Sequence, residues 1–246
     1  MQNYCKTIGA LAAASALVAG TAQAEVEYEI HAGYSTEYLF RGISFGDDLI
    51  ETGIDVSTEA YGLNLSAGIW YANYQADASL FGTGSDFNVN EIDLYTEVSK
   101  DLGFLTASVG YIYYYNDVDD LASTTFQGHF ADNQEVYFGI SRDFGFVEAS
   151  LTYFWDIVGD NGGYTELGLA RSFELNQCLT LNTAVNVGYL VEESDFVAAT
   201  AKVSLDWGFV ENAKLSPFVA AALDLSSDGN AFGNELIGGS MLSVSF

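Results

Sequence analysis

The sequence predicts an all-β fold: a transmembrane up-and-down antiparallel β-barrel of about 12 strands, preceded by a cleaved signal peptide. Three observations lead there. Apolar and polar residues alternate with period two from Glu25 to the end of the chain. Most alternating runs hold about 9–12 residues, enough to cross a bilayer at a tilt, whereas strands of soluble proteins average nearer 5–6. Aromatic side chains gather at both ends of the apolar face, as two membrane–water interfaces select.

Composition narrows the class. Among 246 residues, Lys and Arg number 7 against 34 Asp and Glu, a net charge of −27. That balance excludes binding nucleic acid through a phosphate-neutralising basic face. A hydrophobic share of 49% with 16 Tyr and 17 Phe argues against disorder. No apolar run long enough for a membrane-spanning helix occurs beyond the N-terminus. There, Lys6, the apolar stretch Ile8–Ala19 and the small-x-small triplet Ala22-Gln23-Ala24 compose a signal peptide over 1–24, leaving one barrel domain over 25–246.

In the first strand Val26, Tyr28, Ile30, Ala32 and Tyr34 oppose Glu27, Glu29, His31 and Gly33. The second sets Ile54 and Val56 against Glu51, Asp55 and Glu59, and the third sets Leu63, Leu65, Ala67, Ile69 and Tyr71 against Asn64, Ser66 and Gly68. In the fourth, Ile92, Leu94 and Val98 alternate with Asp93, Tyr95 and Glu97. Strands five to eight are expected over 105–115, 136–142, 147–155 and 165–173, and nine to twelve over 179–189, 197–207, 215–225 and 236–246. Short turns (60–62, 100–103, 143–145, 174–177 and 208–213) alternate with longer polar connections (75–88, 116–133, 156–163 and 226–234), with more modest ones at 41–48 and 191–195. Such alternation fits a meander whose two ends face different compartments. Pro217 falls near the start of strand eleven, where a missing donor does least harm.

Period two leaves open which face is wet. The apolar face is placed outside because its aromatics concentrate at the ends: Tyr71, Tyr111, Tyr113, Tyr115, Tyr153, Trp155 and Tyr189 toward the long connections, Phe173, Trp207 and Phe246 toward the short turns. Each backbone group left unpaired in lipid costs several kcal/mol, so the strands must close edge to edge. Strands about 4.7 Å apart and tilted by about 40° give a cylinder roughly 23 Å across and a lumen of roughly 10 Å.

The segment Tyr34-Ser35-Thr36-Glu37-Tyr38-Leu39-Phe40-Arg41-Gly42-Ile43-Ser44 resembles the N-terminal signature of the TorF-like porin family, in which an acidic-aromatic-x-aromatic-Arg-Gly-Ile-Ser run ends the first strand. Gly53–Ser57, Gly68–Trp70 and Asn90–Tyr95 look like the strands that follow, with weaker similarity at Glu135–Tyr137 and Tyr164–Leu167. The resemblance implies an outer-membrane barrel with channel activity and carries over no substrate or catalytic residue. Met241 stands where the terminal strand of such proteins commonly has glycine.

On the polar face, Glu37, Glu51, Asp55, Asp93, Glu97 and Glu135 stand among many carboxylates, with Arg41 and Lys202 as its cations. This balance favours cations over anions in a low-dielectric pore. Arg41 is expected near the outer mouth, paired with Glu37 and Glu51, either as a constriction or as a brace for the wall. The acidic run Asp117-Val118-Asp119-Asp120 lacks the spacing and glycine of an EF-hand loop, so no metal or cofactor is assigned. Catalysis is not expected: His31 faces inward beside Glu29, and His129 lies in the third long connection without a same-face serine. The expected function is a passive, porin-like outer-membrane channel for ions or small hydrophilic solutes, preferring cations. Its expected partners are outer-membrane lipid, lipopolysaccharide, the permeating solutes or cations and the barrel-insertion machinery. The alternative is a non-conducting surface barrel whose acidic loops bind a partner or divalent cations.

Overall fold

The computed structural model describes residues 26–76, 86–118, 132–159, 163–227 and 233–246. The expected signal peptide, His129, Asp119 and Asp120 lie outside them. The described chain forms twelve strands: β1 (Val26–Phe40), β2 (Ile43–Ala60), β3 (Leu63–Ala76), β4 (Phe87–Asp101), β5 (Thr106–Val118), β6 (Asn133–Asp143), β7 (Glu148–Asp156), β8 (Tyr164–Asn176), β9 (Leu179–Leu190), β10 (Asp195–Val210), β11 (Ala213–Asp224) and β12 (Glu235–Ser245). Each pairs antiparallel with its sequence neighbours, and β1 closes the ring on β12 from Glu29↔Ser245 to Ser35↔Gly239. This is the expected barrel, with no edge left for lipid to meet.

Parity holds around the wall. Ile30, Ile54, Ile69, Leu94, Val109, Phe138, Leu151, Leu167, Val185, Val203, Val219 and Leu242 all stand exposed on the outer face. An apolar exterior this continuous is what lipid requires and what water penalises. Tyr71, Tyr115 and Trp155 at one end and Phe173, Trp207 and Phe246 at the other are also exposed, in the two expected girdles. At the short-turn end, on the outward parity, Arg142 stacks on Phe144 and Arg171 on Phe173, with guanidinium-to-ring distances of 5.0 and 5.7 Å. Cations at that depth reach the polar interface along apolar stems.

The first connection differs from the expectation. Residues 41–48 were expected to form a modest loop, yet β2 resumes at Ile43, leaving Arg41 and Gly42 as a two-residue turn with φ of 54° and 85°. Positive φ at both positions belongs to the tight hairpin turns whose twist matches the flanking strands. Moreover, the upper part of this hairpin leaves the wall. β1 pairs with β12 only as far as Ser35, and beyond it Glu37–Phe40 pair with β2 alone. Register shifts fall between Tyr38 and Leu39 in the β1–β2 ladder and between Asp47 and Ile50 in the β2–β3 ladder. Such bulges bend a ribbon and raise its twist.

Bent at these points, the hairpin folds into the barrel. Its base packs Tyr38, Phe40 and Phe45 against Trp70, Ala72, Tyr74 and Val89 of β3 and β4. Its tip seats Ile43 against Tyr164, Val197 and Ala198 of β8 and β10. Gly46 must lack a side chain, since a Cβ there would lie 2.1 Å from the Gln75 carbonyl oxygen. Gly42 must as well, since its Cβ would lie 2.4 Å from that of Ala198. The packed apolar clusters therefore sit inside the tube, between hairpin and wall.

Candidate functional site

Folding the hairpin inward carries Arg41 across the lumen to the wall formed by β6, β7 and β8. Its guanidinium donates two parallel hydrogen bonds to Glu135 on β6, Nη1 to Oε1 at 2.9 Å and Nη2 to Oε2 at 2.5 Å. The expected pairing with Glu37 and Glu51 is thus corrected. Those carboxylates lie on the hairpin's own strands, whereas the bend carries Arg41 across to β6. The Tyr114 hydroxyl donates to Glu135 Oε2 at 2.9 Å, and Glu135 is buried. The rings of Phe40, Phe154 and Tyr164 surround the guanidinium at 4.7, 4.4 and 4.6 Å. A planar cation that meets a carboxylate edge-on while its faces meet aromatic rings satisfies both its charge and its weakly hydrated surface. Such a desolvated pair is strong only while complete; removing either partner strands the other.

The remaining candidates fall at different heights. Asp93 shares the level of the hairpin with buried Glu91, and its Oδ1 is buried without a hydrogen-bond partner among the described residues. Glu166 accepts from the Tyr164 hydroxyl at 3.0 Å. Deeper, Glu51 accepts from Trp70 Nε1 at 2.8 Å and Glu97 from the Tyr137 hydroxyl at 3.0 Å. Asp55 accepts from the Tyr95 hydroxyl and pairs with His31 Nδ1 at 3.2 Å. Glu37 stands at the hairpin's bend beside Ser44 and Glu235. Lys202 lies apart on β10, its Nζ 4.1 Å from the centre of the Phe218 ring.

Sequence reasoning missed the partners of these carboxylates. Tyr95, Tyr114, Tyr137 and Tyr164 all occupy inward parity, where each hydroxyl donates to an acid. Their signal was present: tyrosine at polar positions of alternating strands, in register with acids on neighbouring ones. Phenol donors let carboxylates sit close together without a cation for each.

Two cavities of about 560 Å³ flank this level. The outer one is lined by Arg41, Glu91, Asp132, Asp156, Glu192 and Glu193 among others. The inner one borders β6–β10 and includes Glu148, Asn182, Asn186 and Lys202. Among the described residues no cluster of three or more His, Cys, Asp or Glu side chains is arranged to hold a metal ion.

Residues 19–232 match the profile of Gcw_chp, described as a bacterial protein of unknown function. That description carries no porin name, so the likeness to TorF-like porins stands as a resemblance. No curated protein matches the sequence. The fold is similar to that of an outer membrane channel from Pseudomonas putida F1, with a TM-score of 0.58 and 10% identity over 90% of this chain and 95% of that one. It is also similar to the KdgM porin (TM-score 0.52, 11% identity, 89% and 99% covered) and to the NanC porin (0.50, 12%, 89% and 98%). At these identities the likeness is one of fold.

Proposed function

We propose that this chain, which belongs to the Gcw_chp family, is a passive outer-membrane channel for small hydrophilic solutes that prefers cations and is gated by its first hairpin. The observation that carries this reading is the occupied lumen: a carboxylate-lined tube crossed by a hairpin whose tip is anchored by the Arg41–Glu135 pair and by Ile43 packed on Tyr164, Val197 and Ala198. Carboxylates in a low-dielectric passage attract cations and repel small anions. The luminal acids outnumber Arg41 and Lys202, and Glu135 and Glu97 each accept a hydrogen bond from a tyrosine hydroxyl.

Residues 1–24 act in this reading as an export signal, and 25–246 enter the outer membrane through the barrel-insertion machinery. Outer-membrane lipid surrounds the wall, and lipopolysaccharide meets the acidic outer connections. No reaction is assigned: His31 is held by Asp55 inside the tube, away from the lipid face. Purified protein in planar bilayers is expected to give discrete conductance steps with K⁺ favoured over Cl⁻. Anion preference contradicts the reading.

One observation favours a second reading. The hairpin that gates the channel also obstructs it, and if it never leaves, the barrel is a non-conducting surface protein whose acidic loops bind a partner or divalent cations. Bilayers that stay silent with this chain and with a variant lacking the hairpin tip support that alternative.

A further inference from the structure

We propose that the pocket now filled by Arg41 is a receptor for the guanidinium group of an incoming solute, which binds there in competition with the hairpin. The pocket is built from the wall and not from the hairpin. Glu135 offers both oxygens edge-on to Arg41, and the Tyr114 hydroxyl fixes one of them. Phe154 and Tyr164 supply ring faces 4.4 and 4.6 Å from the guanidinium carbon. With the hairpin seated, Glu135, Tyr114 and Tyr164 are each more than nine-tenths buried, Phe40 and Ile43 of the hairpin lying against Tyr114 and Tyr164. Of the groups that touch the guanidinium, only Phe40 leaves with the hairpin.

Displacement is an exchange, in which an incoming guanidinium takes over the contacts that Arg41 gives up and leaves Glu135 paired. Asp93 Oδ1 is buried without a hydrogen-bond partner among the described residues. The outer cavity, with Asp132, Asp156, Glu192 and Glu193 on its lining, gives an acidic approach to the Arg41 level. Recognition is by shape as well as charge: a planar fork fits two oxygens and two ring faces, whereas an ammonium uses one point contact. The hairpin's Arg41 is a tethered competitor at high effective concentration, so the wall's own affinity emerges once Arg41 is removed. The inference takes the channel reading for what displacement achieves, release of the hairpin, but the binding event does not depend on conduction.

Calorimetry of the refolded barrel in detergent tests it, with methylguanidinium chloride as probe and methylammonium chloride as an equal-charge control. Arg41→Ala, with Arg41→Met as a variant that keeps much of the stem, is expected to bind methylguanidinium at one site at least about tenfold more tightly than methylammonium. The unsubstituted barrel should bind it at least about tenfold more weakly than Arg41→Ala does. Glu135→Gln added to either variant should abolish the preference. Folding of each is checked by heat-modifiable gel migration. If folded Arg41→Ala and Arg41→Met both fail to distinguish the two cations, or keep the preference after Glu135→Gln, the proposal falls. A preference found in a barrel that never conducts supports the receptor and overturns only the channel reading; cation-selective conduction without the preference does the reverse.

Discussion

Arg41 occupies a backbone conformation that β-hairpin turns usually give to Asn, Asp or Gly. A left-handed residue with a Cβ costs roughly 1–2 kcal/mol, so the side chain must return at least that much through its contacts. It does so through Glu135 and three rings. Breaking a buried pair from one side costs about 3–5 kcal/mol, more than a hairpin tip can absorb in place. Arg41→Ala and Glu135→Gln are therefore each expected to free the tip, not to unfold the barrel. In planar bilayers both should raise open probability severalfold. Because they break one contact, the double variant should add little to either. Unchanged gating in both would return Arg41 to a wall-bracing role. The sequence made Arg41 conspicuous as one of two cations on an acidic face, but its partner was not legible there. Register links a residue to adjacent strands, whereas Glu135 reaches it through a bend that period-two patterning does not encode.

The β1–β2 hairpin shows why one element escaped the alternation that exposes the rest. Most strands present one apolar face to lipid, so parity alone places their side chains. Between Tyr38 and Phe45, apolar side chains stand on both faces: Tyr38, Leu39 and Phe40 are consecutive, and Ile43 and Phe45 follow across the turn. A ribbon apolar on both sides has to be covered on both sides, and the lumen is the place that covers it. That signal was present but reads equally as an ordinary strand end. The register suggests a clean excision, because Glu37 and Asp47 are directly paired at the bend, before the shift at Tyr38/Leu39. Replacing residues 38–46 by Asn-Gly should give a barrel that refolds with native gel mobility and conducts continuously, without the closures of the full chain. Failure to refold would show that the luminal clusters stabilise the wall itself.

At the scale of the whole molecule, the architecture is inverted relative to a soluble domain: an apolar coat, a polar lumen and a packed apolar plug within it. Strand number, closure and the outward faces were all legible, because lipid imposes period two uniformly on every strand. Leu94 lies at the middle of β4 on the outer face, at the depth where lipid tolerates charge least. Leu94→Arg should therefore cost about 2–4 kcal/mol, read from urea unfolding in vesicles, with lumen chemistry unaltered. Conductance of correctly inserted Leu94→Arg should stay within experimental scatter of the parent. Ion preference, in contrast, belongs to the lumen as a whole, where acids such as Glu51, Asp55 and Glu97 are held by phenol, indole or imidazole donors. The most direct measurement is the reversal potential of the barrel lacking residues 38–46 under a KCl gradient. The account predicts open steps with a potential displaced toward that of K⁺; a potential displaced toward that of Cl⁻, or a barrel that stays shut without its hairpin, would contradict it.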